Sequence, residues 1–141
     1  TVVWKENFVE DDYISLLKHF KKILERDKRA ENEEQRDVIS QIREYVLSNY
    51  MDDVTIAEMG RRFGISPSYI SRIFREKTGE KYIDFVTSVR MENAMRILRT
   101  EPILSVKMVS ERVGYVSEKH FSKTFKKYFE CLPSQINCAK L

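Results

Sequence analysis

The sequence predicts an all-α protein with two helix-turn-helix subdomains, a long linker helix between them and an extra N-terminal amphipathic helix. Three observations predict it. The 141 residues are 42% hydrophobic and 33% charged with four glycines and three prolines, a balance that suits packed helices and argues against disordered or fibrous chains. Apolar residues recur at spacings of three and four rather than alternating. A stretch from Gly64 to Phe74 is echoed by another from Gly114 to Phe125, and such self-similarity marks a repeated structural unit.

Charge and cysteine usage narrow the class of function. The net charge is +3, with eight Lys/Arg against nine Asp/Glu in residues 1–36 and seventeen against thirteen in residues 37–141. Basic charge gathers on the echoing segments, as Arg61, Arg62, Arg72, Arg75 and Lys77 and then as Lys119, Lys123, Lys126 and Lys127, where it can meet phosphates. No apolar run approaches the ~20 residues that cross a bilayer, and no signal-peptide pattern opens the chain; a cytoplasmic protein with no membrane partner is expected. Cys131 and Cys138 are too few for a disulfide framework and match no zinc spacing; they read as ordinary thiols, and no metal is expected. No cofactor is expected either. The first residue is Thr1 rather than methionine, and a fragment of a longer protein with a sensor upstream is expected.

Along the chain, Val2, Val3, Trp4 and Phe8 offer apolar anchors. From about Asp11 to Lys28, the spacing of Tyr13, Leu16, Leu17, Phe20, Ile23 and Leu24 predicts an amphipathic helix whose stripe needs a partner. Two heptads allow a coiled-coil homodimer or packing against the same chain. Residues 27–37 are almost wholly polar and read as an exposed link or a solvated helix. A domain boundary is placed there, giving a helical linker segment over 1–33 and a second domain over 34–141.

That domain opens with a helix from about Glu34 to Tyr50, with Val38, Ile42, Tyr45 and Val46 inward. Thr55 and Glu58 have the spacing of a reciprocal capping box, which starts the first helix-turn-helix at about 55–77. Gly60 is small enough for close approach, and Gly64 supplies a turn geometry costly to other residues. Ser66 followed by Pro67 predicts the next helix start. On its wheel Ile70, Ile73 and Phe74 face inward, leaving Ser68, Arg72 and Arg75 outward with Tyr69 and Ser71 on the flanks. Serines and arginines on the exposed face near a helix N-terminus suit major-groove contact. A linker helix follows at about 82–99, roughly 27 Å long at 1.5 Å per residue, with Phe85, Val86, Val89, Ala94, Ile97 and Leu98 apolar.

The second unit, at about 105–128, repeats the first. Val106, Val109, Ser110, Val113 and Gly114 match Ile56, Met59, Gly60, Phe63 and Gly64 at an offset of fifty; after one inserted residue, Ser117, Phe121 and Phe125 match Ser66, Ile70 and Phe74 at fifty-one. Outward Ser68, Arg72 and Arg75 become Lys119, Lys123 and Lys126, flanked by His120 and Ser122.

Residues 55–137 resemble the DNA-binding domain of the AraC/XylS family of bacterial transcription regulators. The resemblance is carried by Ile56-x-x-Met59-Gly60, Gly64-x-Ser66-Pro67-Ser68-Tyr69-Ile70-Ser71-Arg72-x-Phe74, Gly79, Arg90-x-x-x-Ala94-x-x-x-Leu98, Val109-Ser110-x-x-Val113-Gly114-Tyr115, Phe121-Ser122-x-x-Phe125-Lys126-Lys127 and Pro133-Ser134. It implies seven helices and two recognition helices entering successive major grooves of double-stranded DNA. Carried over by position, it implies base contacts from Ser68, Ser71 and Arg72 and from Lys119, His120 and Lys123, and phosphate contacts from Arg75, Lys126 and Lys127. It also implies RNA polymerase as a partner and an upstream receiver or ligand-binding domain. Gly60 and Ser110 stand where alanine is usual, Glu130 where glycine is, and Ile136 and Asn137 where a Tyr-Arg ending is.

No catalytic residues are expected. Cys131 with His120 as base lacks a third group to orient the histidine, Arg90 reads as a structural partner within the linker helix, and His19 as a surface residue. A helical protein-interaction module using the Tyr13–Leu24 stripe is the alternative function.

Overall fold

The computed structural model describes the backbone of residues 2–138 and the side chains of residues 12–136. It is helical throughout, with no strand among the described residues. The elements are α1 (Val2–Asn49), α2 (Ile56–Phe63), α3 (Pro67–Thr78), α4 (Tyr82–Thr100), α5 (Val106–Arg112), α6 (Glu118–Phe129) and α7 (Pro133–Cys138). The side chains of Val2, Val3, Trp4, Phe8, Asn137 and Cys138 lie outside the described ones. Contacts divide the chain into residues 1–37 and residues 38–141, described in turn.

In residues 1–37 the expected stripe is present and uncovered, with Tyr13, Leu16, Leu17, Phe20, Ile23 and Leu24 all exposed. The two helices expected at 11–28 and 34–50 are one element, α1. Residues 27–37 contain neither Gly nor Pro and consist largely of Ala, Glu, Gln, Lys and Arg, which propagate a helix without needing a buried face. Of the two readings of that stretch, the solvated helix is the one adopted.

Residues 38–141 hold two apolar cores. The first joins Ile39, Ile42 and Val46 of α1, Met59 of α2, Ile70, Ile73 and Phe74 of α3, and Tyr82, Phe85, Val86 and Val89 of α4. The second joins Met91, Ala94, Ile97 and Leu98 of α4 to Val109, Val113, Phe121 and Phe125. Each anchoring phenylalanine, Phe74, Phe121 or Phe125, is 0% exposed, and truncating one to alanine costs about 3–5 kcal/mol. Both helix-turn-helix units therefore depend on α4.

The linker helix serves two cores by turning its buried face along its length. At about 100° per residue, its first-core side chains and its second-core side chains point about 140° apart. Met91, buried completely, lies on the second face, opposite Val89; a single apolar stripe drawn along α4 misses it.

The loop before α2 is tied to α4 from two sides. The Tyr82 hydroxyl donates to the Val54 carbonyl at 2.5 Å, and burial pushes that phenol's pKa well above its ordinary value. Arg90 donates from Nε to the Tyr50 carbonyl at 2.9 Å and from Nη2 to the Asp52 carbonyl at 3.1 Å. Its guanidinium also lies 5.6 Å from the Tyr115 ring. The structural role expected of Arg90 is thus met by backbone carbonyls.

Candidate nucleic-acid interface

The first unit is built by its caps. The Thr55 Oγ1 accepts from the Glu58 amide at 3.3 Å, which is half of the expected capping box. The reciprocal half is absent. Glu58 instead takes Arg61, with Nε to Oε2 at 2.9 Å and Nη2 to Oε1 at 2.5 Å, and Arg62 at 3.2 Å. A guanidinium one turn along is a stronger partner for the carboxylate than a neutral amide. The amide of Thr55 donates to the Asp53 Oδ1 at 3.0 Å instead, and that bond holds the Asp53 carboxyl below the usual carboxylate range.

The turn from α2 to α3 is tight. Gly64 sits at φ 66°, and the Ile65 amide donates to the Gly60 carbonyl at 3.0 Å. A Cβ on Gly60 would stand 2.7 Å from the Ile65 carbonyl oxygen and 3.2 Å from the Cδ of Pro67, the first residue of α3; the small residue admits both the turn and the start of the next helix. The Ser66 Oγ accepts from the Tyr69 amide at 3.2 Å and starts α3 with Pro67 in its first turn.

Capping and burial together aim the exposed face of α3. With Ile70, Ile73 and Phe74 inward, Ser68, Ser71, Arg72 and Arg75 are all exposed and share one open groove with Ile56 and Pro67. Arg72 rests against its own helix, 3.4 Å from Glu76 and 5.2 Å from the Tyr69 ring centre. An exposed pair of this kind is worth only about 0.3–0.5 kcal/mol, so releasing Arg72 from Glu76 costs little. Arg61 and Arg62, counted above with the basic segment, both pair with Glu58, whose single charge offsets one of their two.

The second unit follows the same plan with different details. Ser105 caps α5 by accepting from the Met108 amide at 3.2 Å, and Ser117 caps α6 by accepting from the His120 amide at 3.2 Å. Gly114 takes φ 95°. Along α6, Phe121 and Phe125 are buried while Lys119, His120, Lys123, Lys126 and Lys127 are exposed; the ion pairs among the described residues involve none of these lysines. The His120 ring packs against Tyr115 at 5.4 Å, which fixes its position at the start of the helix. At the far end Glu130, the residue in glycine's usual place, still closes α6 in the left-handed conformation (φ 63°), its amide donating to the Lys126 carbonyl at 2.8 Å. The turn is kept at the expense of backbone strain. Ile136 of α7 packs against the second core.

A family described as a helix-turn-helix domain matches residues 59–137, more than half of the chain. The chain belongs to the AraC-type helix-turn-helix family. Among solved structures, this AraC-type domain is similar to the C-terminal domain of AraT, a response regulator from Geobacillus stearothermophilus, with 31% identity and a TM-score of 0.68 over 72% of this chain and 84% of that one. The DNA-binding domain of AdpA, solved in complex with a target DNA, shares the fold with a TM-score of 0.67 at 22% identity over 72% of this chain and 90% of that one. Among curated relatives, the transcriptional regulatory protein YesN of Bacillus subtilis is 38% identical over 72 residues, half of this chain and 20% of that protein. The AraC-type chain thus spans about a fifth of the length of that relative. AraC-type proteins are transcription regulators, and no described helix is long and apolar enough to cross a membrane.

One exposed residue beside the basic face of α6 has no assigned role in the sequence reading. Val116 precedes the cap of α6 and is fully open to solvent. Its only sequence signal is the one-residue insertion between the two repeats.

Proposed function

We propose that residues 34–141 are the DNA-reading part of an AraC-type transcription regulator in the cytoplasm, acting by binding alone and preceded by a helical linker segment over 1–33. The carrying observation is that α3 and α6 both turn exposed polar and basic faces away from cores built on the same helix, α4. In this reading the two helices enter successive major-groove segments of double-stranded DNA, about one helical turn apart. Ser68, Ser71 and Arg72, with Lys119, His120 and Lys123, contact base edges. Arg75, Lys126 and Lys127 contact phosphates, fixing register without reading sequence.

Response-regulator domains among the similar structures support an upstream receiver domain over a ligand-binding one. RNA polymerase is the further partner of the bound regulator. A second reading, a protein-interaction module, is supported by the uncovered Tyr13–Leu24 stripe, which also supports a homodimer paired along that helix.

Selection of duplexes from a random pool with the whole chain, followed by gel-shift titration at two salt concentrations, separates the readings. The DNA reading expects a bipartite consensus and an affinity that falls steeply with salt. An unenriched pool with no salt-dependent binding to any duplex supports the interaction module instead.

A further inference from the structure

From the first helix of each unit to the second, the two units differ in length at one place, the turn that leads into α3 or α6. In the first, the Ile65 amide donates to the Gly60 carbonyl, and Ser66, the α3 cap, follows at once. In the second, the Tyr115 amide donates to the Ser110 carbonyl at 2.9 Å. Both Ile65 and Tyr115 pack their side chains against their own core. Tyr115 therefore plays the part of Ile65, and the inserted residue is Val116. It stands between Tyr115 and the α6 cap Ser117, at 104% relative exposure.

A valine in that position packs on nothing among the described residues, and it is followed by the first turn of α6. We infer that Val116 is a specificity-determining residue that contacts the C5-methyl group of a thymine in the half-site under α6. This rests on the reading of α6 as a recognition helix. The major-groove edges of the bases present one apolar group, the thymine methyl, and an apolar side chain near a recognition-helix N-terminus is its natural complement. Valine also suits the task entropically: its β-branch restricts χ1, so little rotamer freedom is lost on contact. The first unit has no counterpart, since Ile65 is committed to the core. The lysines of α6 are accordingly accompanied by an apolar reader, and the second unit contributes discrimination as well as charge.

Replacing thymine by deoxyuridine deletes only the methyl group, so it isolates this contact. The whole chain is titrated by fluorescence anisotropy against a selected duplex and against copies with deoxyuridine at single thymine positions. The unaltered protein is expected to bind about fourfold more weakly when one particular thymine of the α6 half-site is replaced, the worth of about one buried methyl. Val116→Ala is expected to lose about the same factor on the thymine duplex and to stop distinguishing thymine from uracil there. Because Val116 is fully exposed, folding is retained, and a thermal melt of the variant checks it. Equal binding of every thymine and deoxyuridine duplex by the unaltered protein overturns the inference, as does a Val116→Ala variant that keeps the full discrimination. Absence of binding to any duplex at either salt concentration would remove the DNA reading itself, an outcome distinct from the other two.

Discussion

Arg90 holds the Tyr50 carbonyl through Nε at 2.9 Å, across forty residues of chain, and the same guanidinium lies against the second helix-turn-helix unit at Tyr115. One side chain of the linker helix thus fastens the end of α1 and the turn of the second unit together. Gly114 completes the junction, because a Cβ there would stand 3.0 Å from the carbonyl oxygens of both Tyr50 and Met51 and 3.1 Å from the Arg90 Nη2.

Arg90→Ala leaves two carbonyls without their charged donor and is expected to cost about 2–3 kcal/mol. Arg90→Lys cannot reproduce the fork and should recover at most about half of that. Gly114→Ala combines the close approach with φ 95° and should cost at least as much as Arg90→Ala. Urea unfolding checks all three as a lower midpoint at unchanged slope; a midpoint equal to that of the parent in Arg90→Ala would show that the junction does not stabilise the domain.

Glu130 is the described non-glycine residue at positive φ. Glu130→Gly removes left-handed strain of about 1–2 kcal/mol and adds backbone entropy to the unfolded chain worth about 0.5–1 kcal/mol. The net expectation is a gain of about 0.5–1 kcal/mol, read as a raised thermal midpoint with unchanged helicity.

Asp53 and Glu58 both titrate below their ordinary values, Asp53 through the Thr55 amide and Glu58 through Arg61. A carboxylate whose pKa is depressed on folding contributes stability above the unfolded-state pKa and loses it as pH falls through the folded value. Thermal stability should therefore drop as pH falls below the usual carboxylate range. Asp53→Asn, which keeps an acceptor for the Thr55 amide without the charge, should show a shallower drop over the same acid range in melts followed by circular dichroism.

Much of this arrangement was legible before the structure. Period and capping residues placed α2 to α6, and the inward set Ile70, Ile73 and Phe74 followed from the helical wheel because α3 packs on one side only. Met91 was missed because α4 packs on two. The full capping box at Thr55 failed because Arg61 competes for Glu58 within one helical turn, a contest that the spacing of two residues does not express. The partners of Arg90 are backbone carbonyls remote in sequence, and carbonyls carry no sequence signature. Val116 was visible only as an insertion until its exposure gave the insertion a meaning.

On DNA, Arg72 and Lys126 should behave differently. Arg72→Ala is expected to cost about 1–3 kcal/mol on a selected duplex and to relax preference at one base pair. Lys126→Ala should weaken selected and random duplexes alike and reduce the logarithmic salt slope by about one. Anisotropy titrations over a range of salt concentrations measure both; equal losses on selected and random DNA for Arg72→Ala would remove its base-reading role.

In the proposed function α3 and α6, held on one linker helix, read two half-sites on the same face of the duplex. Inserting about five base pairs, half a helical turn, between the half-sites of a selected duplex and measuring the affinity of the whole chain by anisotropy probes that arrangement. Affinity is expected to fall to that of a duplex carrying one half-site alone, because the second half-site now faces away from its helix. An affinity unchanged by the insertion would contradict it.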